Sequence, residues 1–213
     1  MTAASRTSPF RSIAPAVADL HPSHLQLVMP VLQRETIRRL QACTRLGPRL
    51  AALLPQATTL PEGPPEAVDT LALLPRHAVE EAGARMGAII YGRQLARYVD
   101  APSVAVLERA MGSPARLFGI REAARGRIAL PSVPVEQTPS DLAGAVIEAA
   151  WSCLARWRDM VSDAYRPWAL LRLPAAGLPT PAPATHDGVI LAVVMALGGA
   201  QEEARDGTLA ADV

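Results

Sequence analysis

The apolar residues of this chain recur at helical intervals almost from end to end, and prolines stand where one periodic run gives way to the next. Val31 to Leu46 sets Ile37, Leu40, Cys43 and Leu46 three apart, a single stripe, with Arg34, Glu35, Arg38 and Arg45 mostly off it. The spacing predicts a helix there, continued by Arg49 to Leu54 after the Gly47-Pro48 interruption. Val79, Ala82, Met86 and Ile90 share one face of a second helix, expected from about Pro75 to Tyr98. Two shorter helices follow, Pro102 to Met111 and Ser113 to Ala124, closed by Gly112 and Gly126. Thr138-Pro139-Ser140-Asp141 joins an N-cap hydroxyl, a first-position proline and an acid two residues on, opening a helix to about Val161. Its stripe is Leu142, Val146, Ala149, Cys153, Trp157 and Met160, with Trp151 off that line. Trp168 to Pro174 closes the main run, and Val189 to Leu197 is a last apolar helix before an acidic end.

Twenty prolines in 213 residues are compatible with this pattern because of where they fall. Pro30, Pro48, Pro75, Pro102, Pro114, Pro139 and Pro167 stand at expected helix starts, where the missing N–H would be unpaired anyway and φ is already near its helical value. The reading is an all-α fold, a compact bundle of about seven to nine short proline-initiated helices without extensive sheet. Its expected organisation is a flexible arm over 1–12, an N-terminal helical subdomain over 13–60, a proline-rich connector over 61–70, a main helical domain over 71–174, and a proline-rich linker with an acidic helix over 175–213.

Composition sharpens the fold class. Half the chain is apolar but aromatics make up only 4%, so the core is built mostly of Ala, Leu and Val, residues that pack between helices. Twenty-one basic residues against twenty acidic ones give a net charge of +1, and every basic residue is Arg. Residues 176–213 hold one Arg and five acids, so the C-terminal end is acidic on a mildly basic body. Nucleic-acid binding needs a clustered basic field, which Arg scattered among Glu does not supply. Cys43 and Cys153 lie inside apolar patterns, as small buried hydrophobes do. No apolar run approaches the roughly 20 residues that span a bilayer, and the start of the chain lacks a signal-peptide core, so a cytoplasmic protein without membrane insertion is expected.

The chemistry-bearing residues form no recognisable constellation, and catalytic, cofactor-binding and metal sites are all expected to be absent. His21 and His24 lack a CxxC, HExxH or carboxylate companion, and a chain without Lys cannot carry a phosphate-loop lysine. His77 and His186 are weak general-base candidates, each beside an expected helix start. Gly83 and Gly87, four apart, would admit a close helix. That helix is more readily internal packing than a partner's, and a chaperone or regulator holding an apolar partner helix there remains an alternative, as does a small helical enzyme with an unrecognised site.

Three segments resemble the SctK (YscK-type) family, a component of the bacterial type III secretion sorting platform. Phe10 to Pro30 (FRSIAPAVADLHPSHLQLVMP) matches the family's opening at Pro15, Ala16, Leu20, His21, Pro22 and Ser23, with Ala18 and His24 where aromatics are usual. The stretch 71–99 (LALLPRHAVEEAGARMGAIIYGRQLARYV) is similar to its central helix at Leu74, Pro75, Met86, Gly87, Gly92, Leu95 and Arg97. WALLRLP, residues 168–174, looks like its closing segment. The resemblance implies a non-enzymatic adaptor of the injectisome's cytoplasmic side. It would link the cytosolic domain of the inner-membrane ring protein SctD to the SctQ pod, and through it indirectly to SctL and the ATPase SctN. Under that reading the expected partner contacts are the turn Leu20, His21, Pro22 and Ser23, together with Arg93 and Arg97.

Overall fold

The computed structural model describes residues 17–54, 63–130, 132–135 and 138–210, with the side chains of 199–210 excepted. The expected arm at 1–12, and Pro15 and Ala16 of the opening match, lie outside the described residues. The described residues are all-α, with eleven α-helices and no strand among them.

The N-terminal part holds a 3-10 turn at Val17–Asp19 and three helices, α1 (Pro22–Val28), α2 (Arg34–Ala42) and α3 (Gly47–Ala51). Val17, Leu20, Leu25, Ile37, Leu50 and Leu54 form its small core, together with Leu171 from far along the chain. The expected helix from Val31 to Leu46 is shorter than its apolar stripe. Gln33 caps α2, the helix ends at Ala42, and Thr44–Leu46 tightens into a 3-10 turn. Ile37 is buried but Leu40, Cys43 and Leu46 are only half-buried, while Gln41, polar and unremarked by periodicity, is inside. Its amide donates to the carbonyls of Val17 and Leu20, both at 3.0 Å, and so satisfies the entering strand of chain.

The main bundle comprises α4 (Thr70–Leu73), α5 (Arg76–Ile90), α6 (Gly92–Leu95), α7 (Ala101–Met111), α8 (Ser113–Arg125), α9 (Pro139–Met160), α10 (Arg166–Arg172) and α11 (Asp187–Ala210). At 22 and 24 residues, α9 and α11 are not short. Helix α5 is the axis. Apart from Arg85, every residue from Ala82 to Ile90 is buried, because α9 crosses one side and α8 the other. A Cβ on Gly87 would strike the carbonyl oxygen of Val146 in α9, and one on Gly83 would lie 2.6 Å from a Leu154 methyl. Gly119 of α8 approaches the Ala88 backbone in the same way. The small-residue groove is thus filled by the chain's own α9, which corrects the alternative of a partner helix docked there.

Proline punctuation holds at six helices, where Pro22, Pro48, Pro102, Pro114, Pro139 and Pro167 occupy the first or second position. Pro75 sits one residue earlier, capping α5, and its carbonyl accepts from Ala78 and Val79. Pro30 starts no helix; it lies between α1 and α2. The helix expected to reach Tyr98 breaks at Tyr91, whose φ of −98° and ψ of 10° leave the helical basin. That break re-aims α6 onto α8, where a Cβ on Gly92 would lie 2.5 Å from the Gly119 carbonyl. Asp100 and Thr138 cap α7 and α9 by accepting from the N–H of Ser103 and Asp141, and Gly112 and Gly126 take positive φ at the ends of α7 and α8.

Residues 175–183 lie along α9 as an extended strap, pinned where the Ala182 N–H donates to the Ser152 carbonyl at 2.9 Å. Val189, Ile190, Val193 and Val194 then bring α11 into the main core, and its helix continues through the acidic stretch.

Candidate protein interface

The turn proposed from sequence as a contact surface is built into the interior. Leu20 is 0% and His21 6% exposed, Pro22 is buried and Ser23 half-buried. This corrects the expectation of four presented residues: an extended turn leaves polar groups that need partners, and α10 supplies them. The His21 N–H donates to the Leu171 carbonyl at 2.8 Å, and the Ala175 N–H donates to the Ser23 hydroxyl oxygen at 2.8 Å. That hydroxyl in turn donates to His21 Nδ1 at 2.7 Å, and the Ser23 N–H reaches the same nitrogen at 3.3 Å, so His21 caps α1 as a neutral acceptor. Burial, with the charges of Arg76, Arg34, His24 and Arg38 around it, lowers its pKa to about 4. His24 Nε2 lies 2.9 Å from two carbonyls, Leu170 and Leu173, and so must carry a proton and donate.

Arg172 completes the joint. Only 3% exposed, it donates from Nη1 to the Asp19 carbonyl at 2.9 Å and from Nε to the Ala72 carbonyl at 3.4 Å. One guanidinium therefore ties the N-terminal unit, α10 and α4 together. The three segments that carry the family resemblance, distant in sequence, meet at this residue. Nearby, buried Asp69 accepts from the N–H and hydroxyl of Ser162 and from the Glu66 N–H, while Trp157 donates to the Val68 carbonyl. These contacts fasten the segment entering α4 to the end of α9.

Arg93 and Arg97 are exposed, with no acidic partner among the described residues. Val99, just beyond, is 84% exposed. A second free surface was not picked out by sequence. Arg34 and Arg39 on α2, Arg45 in the 3-10 turn and Arg49 on α3 are exposed, Arg38 reaches Glu35 only at 3.9 Å, and Leu27, Val28 and Val31 are exposed before α2. The signal was in the sequence, since residues 34–49 contain five Arg and one acid.

The histidines expected as weak bases are separated. His77 is exposed in the first turn of α5. His186 lines a cleft of about 340 Å³ over the middle of α9, walled by Ile90, Val133 and Pro181 and also lined by Glu148 and Ser152. The half-buried His186 has Nδ1 3.3 Å from the Thr185 hydroxyl. The adjacent Asp187 is taken up by a bidentate pair with Arg156, both bonds 2.9 Å, which holds its carboxyl below the usual range. Cys43 and Cys153 are unpaired thiols, and burial pushes Cys153 up to about 12, so it is inert as a nucleophile. Among the described residues no group of three metal-ligating side chains comes together, and no helix is long and apolar enough to cross a membrane.

No protein-family model matches the chain, and no solved structure does. It is similar to the nodulation protein NolU of Rhizobium fredii and to NolU of Sinorhizobium fredii strain NBRC 101917 / NGR234. It is 32% identical to each over 177 residues, which is 80% of this chain and 78% of the relative. At that identity and coverage, the chain belongs to the family of the nodulation protein NolU.

Proposed function

We propose that the protein is a non-enzymatic adaptor of a bacterial type III secretion sorting platform, of the SctK kind. In this role it would sit in the cytoplasm beneath the inner membrane and be held there by the apparatus. It would join the cytosolic domain of the ring protein SctD to the SctQ pod, and through the pod to SctL and SctN. The observation that carries the reading is the meeting of the three SctK-like segments at Arg172. Segments matched one at a time need not touch, and here they build one joint. The joint holds the Arg-rich N-terminal face and the Arg93–Arg97 face on one frame, as an adaptor with two partners requires. Exposed arginines suit such a task because a planar guanidinium pairs with carboxylates across a polar interface.

The test is a pull-down with the full chain against the ring protein's cytosolic domain and the pod protein, each purified. Both are expected to be retained, and reversing Arg93→Glu with Arg97→Glu is expected to weaken one of them about tenfold while sparing the other. Retention of neither removes the reading, and unchanged affinities in the double variant remove Arg93 and Arg97 from it.

One observation favours a second reading, a small helical enzyme: His186 and Glu148 line the same cleft. A general base, however, works when a third group fixes it, and Asp187, the neighbour best placed by sequence, is committed to Arg156. Glu148 is exposed to water. The arrangement supports binding better than proton transfer.

A further inference from the structure

The cleft over α9 is not used by the adaptor reading, and Glu148 is the one carboxylate in its lining. Acidic side chains elsewhere in the bundle are engaged: Glu80 by Arg76, Glu81 by Arg85, Glu122 by Arg125 and Asp187 by Arg156. Glu148 has no hydrogen bond or ion pair among the described residues, and no Arg lines the cleft with it. Ile90, Val133 and Pro181 form the apolar part of the wall beside it, and Tyr91, Ser152, Thr180 and the half-buried His186 form the polar part.

A carboxylate without a bonded partner among the described residues, in a cleft that also offers apolar wall and the rings of Tyr91 and His186, suits a cation that has an apolar stem. A divalent ion is poorly served, since it wants six or more oxygen ligands and keeps its water. The volume lies near the lower end of the ~300–1,000 Å³ range of small-molecule sites, which fits one anchoring side chain better than a large cofactor. An arginine meets each requirement. Its methylene stem lies along apolar surface, its planar head stacks on flat side chains and forms two parallel bonds to a carboxylate, and it is among the commonest anchors of protein interfaces. We propose that this cleft is a socket for an exposed arginine of a partner protein, with Glu148 as its counter-charge. The proposal goes beyond the adaptor reading and stands if that reading falls, because it requires only a partner that offers an arginine.

The probe is Nα-acetyl-arginine N-methylamide, titrated into the uniformly ¹⁵N-labelled full chain, with the citrulline derivative as a neutral match of the same shape and the lysine derivative as a point charge. The arginine probe is expected to shift the amides of Ala149, Ser152 and Ala182, and the other two to bind there about tenfold more weakly. Glu148→Gln, a change at an exposed helix position, is expected to weaken the arginine probe about tenfold and leave the melting midpoint unchanged. Absence of shifts at those amides overturns the proposal, as does an equal response to citrulline or an unaltered response in the variant. Equal binding of the lysine probe overturns the choice of arginine. A dimer of the unliganded chain that Glu148→Gln dissociates, seen by sedimentation, replaces the partner with a second copy.

Discussion

The N-terminal unit and the main bundle are made of the same kind of helix but held by different means. In the bundle, α5 is enclosed by α8 and α9 at distances that only glycine permits, and most charged side chains find partners within it. Among the described residues, the core of the N-terminal unit has seven buried apolar side chains, one of them the borrowed Leu171, and most of its arginines have no acidic partner. A unit of about forty residues buries too little surface to stand alone and needs an outside constraint. Here the constraint is Arg172 with the His21–Ser23 turn. The contrast teaches that the bundle is the frame, while the N-terminal unit is fastened to it and keeps its own surface for presentation.

Glycine tests this most severely, because the same residue type has opposite meaning in the two regions. At Gly87 any Cβ meets the α9 backbone, with the Ala150 nitrogen 3.1 Å away in addition to the Val146 oxygen, and backbone cannot swing aside. Gly87→Leu is expected to cost about 3 kcal/mol or more, read from urea or thermal unfolding. At Gly47, in helical conformation at the start of α3, a Cβ meets nothing within 4 Å. Gly47→Ala is expected to raise stability by about 0.5 kcal/mol or leave it unchanged, since it adds helix propensity without crowding. Similar losses at both positions would erase the distinction between the regions.

Arg172→Met acts on the fastening itself. It keeps most of the volume but takes the donor from the buried carbonyl of Ala72 and the part-buried carbonyl of Asp19, at an expected cost of about 2 kcal/mol. The place of the loss matters more than its size. Amide exchange in 17–54 should accelerate strongly while the centres of α5 and α9 keep their protection. If α5 and α9 accelerate in step, the two regions unfold as one and the N-terminal unit is not a separately fastened piece.

What the sequence disclosed follows the range of the forces involved. Caps, first-position prolines and terminal glycines act within four residues, so Thr138, Pro139, Gly112 and Gly126 were legible as helix boundaries. The Gly83–Gly87 pair was legible as a close approach, though not as one made by α9. The burial of the turn at Leu20–Ser23 is not legible in the sequence because its partners, Leu171 and Ala175, lie about 150 residues away. Gln41 and Arg172 were hidden for the same reason, since a polar residue in a helix gives no local sign that a distant carbonyl awaits it. The cleft needed α5, α9 and the strap together, and neither Glu148 nor its lack of a partner could be read from periodicity.

A smaller loss than that at Arg172 separates the regions by pH. His21 is held near 4 in the folded protein against an ordinary value near 6.5, so the unfolded chain binds the proton more tightly. The neutral ring therefore stabilises the fold fully above pH 6.5, and that contribution is lost as the pH falls from 6.5 towards 4. The charges facing His21 are Arg34 and Arg38 from α2, Arg76 from α5 and His24 from α1, all of the sign that resists protonation. The expected loss is on the order of 1 kcal/mol at pH 5, allowing for the solvent that screens those arginines, and it should fall on residues 17–54 before the bundle. His21→Asn retains an acceptor for the Ser23 N–H without a titrating ring. Protection of α1 in that variant should be level between pH 7 and 5, whereas a decline as steep as in the parent chain would mean that the proton acts elsewhere and that the turn does not report on the fastening.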